Sequence, residues 1–197
     1  MTAVAKLRQT QNSEIGDTNS ALFKIIKERS FKRGKFKLSS GAESDVYFNL
    51  KPTMMSPDGA ELAARAFLHL IWAEGVEFVG GLEMGAVPLI GSLAALSQCE
   101  AKPVKTFFVR KKKKEHGTMD LVEGLGPDQT LKSKRVMVVD DVATTGGSIL
   151  RAVEAARKDG GIVDVALVLV NRDEGAEEAL RKAGVRLLSV FHARDFL

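Results

Sequence analysis

The chain has 197 residues, enough for one domain with a substantial core, and its 29 basic and 25 acidic residues leave a formal charge of +4. That excess is too mild to point to nucleic acid as a partner. A single cysteine, Cys99, excludes an internal disulfide and a cysteine metal cluster; with no leading apolar run and no stretch fit to span a bilayer, the expectation is a cytoplasmic protein without membrane contact.

Residues 1 to about 18 are polar without a clear period, so a frayed arm or an irregular helix start is expected. Ala21 to Lys27 reads as a helix with Leu22, Ile25 and Ile26 on one side. Phe36 to Leu38 and Val46 to Asn49 read as short strands, and the polar turn from Ser39 to Asp45 between them predicts a hairpin. A helix runs from Ser56 to about Glu74, with Ser56 as its cap, Pro57 in its first turn, and Ala63, Ala66, Phe67, Leu70 and Ile71 as its buried stripe.

Strands and helices then alternate. Phe78 to Gly81 is a strand and turn, Gly85 to Gln98 a helix, and Thr106 to Val109 the end of a strand. Arg110 to Gly126 is long, polar and aperiodic. Val136 to Val139 is a strand apolar on both faces, and Ile149, Ala152, Val153 and Ala156 mark a helix face after it. Ile162 to Val170, Ala176 to Ala183 and Val185 to Phe191 complete the series as strand, helix and strand. The alternation predicts an α/β fold, a parallel sheet flanked by helices on both faces. Ligands of such sheets sit at the carboxyl ends of the strands, where the segments 80–85, 110–117, 140–148 and 171–173 should meet. The chain reads as a single domain: about 20–55 breaks the alternation and predicts a small cap over that edge, and about 56–192 is the α/β core.

The stretch from Val136 to Ser148 carries most of the functional signal. Asp140 and Asp141 close the strand, and Thr144-Thr145-Gly146-Gly147-Ser148 turns into the helix. Gly146 and Gly147 can take positive φ and admit a ligand to the backbone. Successive N–H groups can form an anion nest at the positive end of the helix, with Thr144, Thr145 and Ser148 adding hydroxyl donors. That is a pocket for one phosphate. The carboxylates beside it would repel a second phosphate and suit sugar hydroxyls, or Mg2+ held through water. A turn-forming acidic pair would leave the specific turn unexplained. A phosphatase or receiver pocket separates its carboxylates by one residue, whereas these are adjacent. No histidine cluster has metal-ligand spacing, and neither nucleotide-binding glycine pattern is present.

Val136 to Ser148 resembles the phosphoribosyl pyrophosphate (PRPP) motif of type I phosphoribosyltransferases. Arg110-Lys111-Lys112-Lys113-Lys114-Glu115-His116-Gly117 is similar to the mobile catalytic loop of the orotate-using branch, whose pattern is Arg-Lys, two variable residues, Lys, one variable residue, His-Gly. Phe36 to Gly41 followed by Tyr47-Phe48 is similar to its orotate-binding hairpin, and Arg172 sits where that branch has an arginine for the orotate carboxylate. The resemblance runs from about residue 20 to 192.

It implies transfer of a phosphoribosyl group from PRPP to orotate with Mg2+, giving orotidine 5'-phosphate and pyrophosphate in pyrimidine biosynthesis, by a homodimer whose loop reaches the neighbouring site. The implied catalytic residues are Lys114, Arg110, His116, Asp140 and Asp141. PRPP falls to these, to Lys111, Val142, Ala143, Thr144, Thr145, Gly146, Gly147 and Ser148, and to Glu83 and Met84; orotate falls to Tyr47, Phe48, Thr144 and Arg172.

Two departures are visible: Ser39 and Met84 stand where many members have lysines for pyrophosphate, and Lys51 could compensate. Judged alone, the basic run is a solvated or nucleic-acid-facing segment, Arg172 a surface arginine, and Tyr47 and Phe48 core. His69 and His192 read as structural. The alternatives are a type I phosphoribosyltransferase for another base, or a non-catalytic PRPP-sensing regulator that binds nucleic acid.

Overall fold

The computed structural model describes residues 3–37, 43–112 and 121–197. Ser39 of the hairpin turn and Lys114, His116 and Gly117 of the basic loop lie outside the described residues. A six-stranded sheet has the order β5-β4-β3-β6-β7-β8. Its strands are β3 (Phe78–Leu82), β4 (Lys105–Val109), β5 (Val122–Glu123), β6 (Arg135–Ala143), β7 (Ile162–Asn171) and β8 (Arg186–His192). All neighbours run parallel except the short edge strand β5, antiparallel to β4.

The sheet residues alternate between two cores, as strand pleating requires. Val79, Met137, Val139, Val165 and Leu167 face a core shared with α1 (Ala3–Arg29), α3 (Pro57–Glu74) and α4 (Val87–Cys99). Phe78, Val136, Val138, Ala166 and Val168 face the opposite core, with α5 (Gly147–Lys158) and α6 (Ala176–Lys182). A parallel sheet covered on both faces is the arrangement the alternation predicts. In α3, Ala63, Ala66, Phe67 and Ile71 are buried, while Leu70 packs at the margin.

The cap consists of α1, the antiparallel hairpin β1 (Phe31–Lys37) and β2 (Glu43–Phe48), and the short helix α2 (Lys51–Met54). Phe31 pairs with Phe48 and Lys32 with Tyr47. The expected frayed arm is corrected: α1 runs from Ala3, far ahead of Ala21. Leu22 and Ile26 are fully buried on it, and Ile15 lies half-buried one heptad before Leu22. Tertiary docking of that sparse stripe outweighs its polar composition.

Arg29 grips Asp58 with two bonds of 2.8 Å, tying the end of α1 to the start of α3. Hydrogen bonding to that guanidinium is the largest influence holding the Asp58 carboxyl far below the usual range, with Ser56 and the Gly59 N–H assisting. The pair is solvent-exposed and screened, so it registers the helices more than it stabilises them.

Three further expectations are corrected. Ser56 occupies the cap position of α3 but makes no side-chain cap bond; its hydroxyl donates instead to the Thr53 carbonyl at 2.8 Å. The acidic pair does not close the strand, because β6 continues to Ala143, opposite Asn171 of β7. The aperiodic stretch after Arg110 contains β5, and a 3-10 turn, Ala193–Phe196, follows β8. No helix among the described residues is long and apolar enough to cross a membrane.

Phe67 is fully buried between the sheet and the cap helices. Phe67→Ala should destabilise the protein by roughly 3–5 kcal/mol, read as a lower urea midpoint. A shift below about 1 kcal/mol would mean that the cap side of the core is loosely packed.

Candidate active site

The chain diverges at the carboxyl ends of β3 and β6. From β3 it proceeds through α4 to β4 on one side; from β6 it proceeds through α5 to β7 and β8 on the other. A crevice opens where two neighbouring strands send their connections apart. The turn after β3 and the end of β6 meet there: a Cβ on Gly85 would stand 2.8 Å from Asp140 Oδ1 and 2.9 Å from Asp141 Oδ1. Glycine at this position lets the turn close over the carboxylates.

Asp140 is 5 % exposed, and Asp141 is half-buried. The Asp141 N–H donates to Asp140 Oδ1 at 3.0 Å and the Val142 N–H to Asp141 Oδ1 at 2.8 Å, fixing both side chains against their own strand. Burial, reinforced by the adjacent Asp141 charge, pushes the Asp140 carboxyl well above the ordinary range; Lys111 opposes the shift. A buried carboxylate beside another negative charge is short of positive partners. The chemistry that fits is sugar hydroxyls or a hydrated divalent cation. Among the described residues no group of three or more His, Cys, Asp or Glu could cage a metal ion. The adjacent carboxylates of Asp140 and Asp141 are themselves a hard oxygen donor set whose chemistry suits Mg2+ held through water and substrate oxygens.

Beyond the pair the turn enters α5. Gly146 adopts φ 83° at the cap position, while Gly147 begins the helix without positive φ, so only one of the two glycines uses the left-handed freedom expected of both. No side chain caps α5, so the N–H groups of its first turn remain as donors for a ligand. The Thr144 carbonyl accepts from the Ala176 N–H at 3.1 Å, and the Leu150 N–H returns to the Gly146 carbonyl at 2.9 Å; these bonds brace the turn from below.

Asp140 to Ser148 line a cleft of about 850 Å³, and Tyr47, Phe48, Asn49 and Lys51 of the cap line it from the opposite side. Arg172 and Glu174, after β7, are also in its lining. The volume falls within the range of small-molecule sites. Arg172 is 7 % exposed, and its Nη2 donates to Glu174 Oε1 at 2.6 Å and to the Val46 carbonyl at 3.4 Å. A guanidinium so placed joins the sheet edge to the cap, which a surface arginine would not do. Tyr47, 39 % exposed, stacks on Phe36 with ring centroids 5.3 Å apart.

Arg110, Lys111, Glu83 and Met84 are not in that lining. Arg110 pairs with Glu123 of β5 at 3.2 Å. The Lys111 N–H donates to Glu83 Oε1 at 2.8 Å, which joins the start of the basic loop to the turn after β3. The Glu83–Met84 peptide is cis, and Met84 is 60 % exposed. Arg110 and Lys111 share a smaller neighbouring cavity of about 240 Å³ with Arg151. Arg151 also lines the main cleft, as do Asn49 and Glu174. None of these three was singled out from sequence; the position of Arg151 three residues after Ser148, one helical turn on, was the available signal. His69 is exposed on α3, and His192 bonds to Asp173 at 2.7 Å outside the cleft lining.

The fold and cleft define an α/β protein with an uncapped helix start beside paired carboxylates, an arrangement whose chemistry suits a phosphate and a polyhydroxylated group. Comparison with known proteins gives that class its family. The phosphoribosyl transferase domain model matches residues 55–191. The chain is 49% identical over 180 residues to the orotate phosphoribosyltransferase of Bradyrhizobium sp. (strain ORS 278), covering 91% of this chain and 97% of the relative. It is 38% identical over 189 residues to the orotate phosphoribosyltransferase of Methanothermobacter thermautotrophicus, covering 95% and 98% respectively. The Mycobacterium tuberculosis orotate phosphoribosyltransferase crystallised with PRPP superposes with a TM-score of 0.74 at 31% identity, covering 91% of this chain and 98% of that one. The chain belongs to the phosphoribosyltransferase family and, within it, to the orotate phosphoribosyltransferases.

The raised Asp140 carboxyl gives a stability prediction for the ligand-free, metal-free protein. An acid whose folded pKa lies above its unfolded value favours folding below the ordinary carboxylate range, and that contribution is lost as pH rises through the folded pKa. Asp140→Asn should therefore raise the melting temperature at pH 7 and flatten its fall as pH rises above the ordinary carboxylate range. A lower melting temperature at pH 7 would contradict the desolvation argument.

Proposed function

We propose that this enzyme transfers the 5-phosphoribosyl group of PRPP to orotate, releasing pyrophosphate and forming orotidine 5'-phosphate for pyrimidine biosynthesis. The observation that carries the reading is one cleft lined by the uncapped start of α5, the Asp140–Asp141 pair and buried Arg172. Each supplies what one part of the reaction needs.

The turn Thr144 to Ser148 holds the 5'-phosphate on backbone N–H groups and hydroxyls. Asp140 and Asp141 hold the ribose hydroxyls, and their charge favours the oxocarbenium-like ring that develops as the bond to pyrophosphate breaks. The new bond forms between orotate N1 and ribose C1, and the electron pair leaves with pyrophosphate, so no nucleophilic side chain is needed. When bound near Asp140 and Asp141, Mg2+ supplies positive charge to the pyrophosphate oxygens. Arg172 pairs with the orotate carboxylate, and Tyr47 and Phe48 bound the base from the cap.

Arg110, Lys111, Lys114 and His116 are assigned to the departing pyrophosphate, with Lys114 acting as a point charge. Val142, Ala143, Glu83 and Met84 contribute backbone to the PRPP site. Lys51, in the cleft lining, is the cation nearest in role to the lysines replaced by Ser39 and Met84. The family resemblance supports a cytoplasmic homodimer in which the loop 110–117 serves the neighbouring site. It also supports one domain in which cap 20–55 covers core 56–192. The curated relatives carry the orotate name, and the comparisons give the alternatives no support.

Mixing the protein with orotate, PRPP and Mg2+ should consume the ultraviolet absorbance of orotate. Use of hypoxanthine, guanine or uracil in its place would move the assignment to another base. In that assay Arg172→Gln should raise the KM for orotate about a hundredfold, because a desolvated charge pair is lost. Lys114→Ala should lower kcat about a hundredfold while changing orotate binding little, because its partner charge develops in the transition state. Equal losses in kcat and orotate affinity would remove Lys114 from that role.

A further inference from the structure

The wall of the cleft that carries Tyr47 and Phe48 meets the sheet edge through the Arg172 bond to the Val46 carbonyl, and behind that bond it rests on aromatic packing. Phe48 is 7 % exposed on β2 and belongs to a cluster of five phenylalanines. The member that joins the others is Phe196, fully buried at the end of the 3-10 turn after β8. Its ring stacks on Phe23 of α1 at 4.6 Å and meets Phe48 edge-on at 5.3 Å, Phe31 of β1 at 5.5 Å and Phe191 of β8 at 5.8 Å. One side chain thus touches α1, both strands of the hairpin and the core sheet. Arg33 of β1 adds a bond to the Phe196 carbonyl at 3.3 Å and another to the Leu197 oxygen.

The same turn is anchored to the opposite wall. The His192 N–H donates to Asp195 Oδ2 at 2.7 Å, closing the turn, and the His192 ring bonds to Asp173 Oδ1 at 2.7 Å. Asp173 follows Arg172 directly and is held at φ 58° by the contacts around it; Arg194 lies 3.6 Å from its second oxygen. The path Phe48–Phe196–His192–Asp173–Arg172 therefore connects the two walls between which a planar, carboxylated base would lie.

We propose that the turn Ala193–Phe196 is a positioning strut that sets the separation of these walls, so that Phe196 and His192 govern affinity for the base without touching it. This rests on the orotate reading of the cleft. The phosphate and ribose half of the site stands on α5 and β6 and does not pass through the strut, so its affinity is independent of it. Aromatic packing of this kind transmits small displacements because interiors are close-packed, and a misplacement of about 1 Å costs up to a hundredfold in a positioned reaction.

The test compares wild type, Phe196→Ala, Phe196→Leu and His192→Ala in steady-state kinetics with both substrates and in thermal melts. The expected result is an orotate KM raised about tenfold in Phe196→Ala and His192→Ala, less in Phe196→Leu, with the PRPP KM within about twofold of wild type. Should Phe196→Ala fail to fold, Phe196→Leu and His192→Ala decide the matter. An unchanged orotate KM in folded variants, or KM values for both substrates that rise together, overturns the strut. Absence of orotate turnover in wild type overturns the orotate reading itself and the strut with it, and is seen before any variant is made.

Discussion

A carboxylate taken out of water governs the architecture of this site. Asp140 is nearly inaccessible, its neighbour carries the same charge, and Gly85 lets the turn after β3 approach both. Burying such a group costs free energy unless something of matching chemistry comes to it. The sheet makes the cost tolerable by fixing the pair on β6, which pairs with β3 at Val136 to Val138 and with β7 on through Asp140 to Ala143, at the point where the chain turns in opposite directions. A pre-arranged, buried carboxylate beside a like charge at a switch point is poised for ligand rather than for fold stability.

The rest of the cleft complements that pair. The first turn of α5 offers unpaired N–H groups beside it, so attraction for a phosphate and aversion to a second one are set side by side. On the proposed function, that contrast would orient a molecule carrying a terminal phosphate, a ribose and a pyrophosphate. Arg172 contributes the other polarity at the end of β7, and its contact with the Val46 carbonyl ties it to the cap; on the proposed reading this couples recognition of a carboxylated base to the placement of the cap.

Much of this was legible in the residues. The runs Val136 to Val139 and Ile162 to Val170 announce buried parallel strands, and Thr144 to Ser148 announces the turn into a helix, because strand burial and turn chemistry are local. The extension of β6 past two aspartates was not legible, since aspartate is disfavoured in strands and only pairing with β7 overrides that preference. The length of α1 depends on docking against α3, and β5 has two residues, too few to carry a period. The roles of Glu174 and Arg151 in the lining, and of Phe196 beneath it, arise from contacts between segments far apart in sequence.

The central claim is that the turn Thr144 to Ser148 seats the phosphate of a ribose phosphate while Asp140 and Asp141 take its hydroxyls. A crystal structure of the protein soaked with ribose 5-phosphate tests it most directly. The account expects phosphate density against the backbone N–H groups of Gly146, Gly147 and Ser148, with the ring beside the carboxylates. Density for the phosphate elsewhere, with that turn left empty, would contradict it.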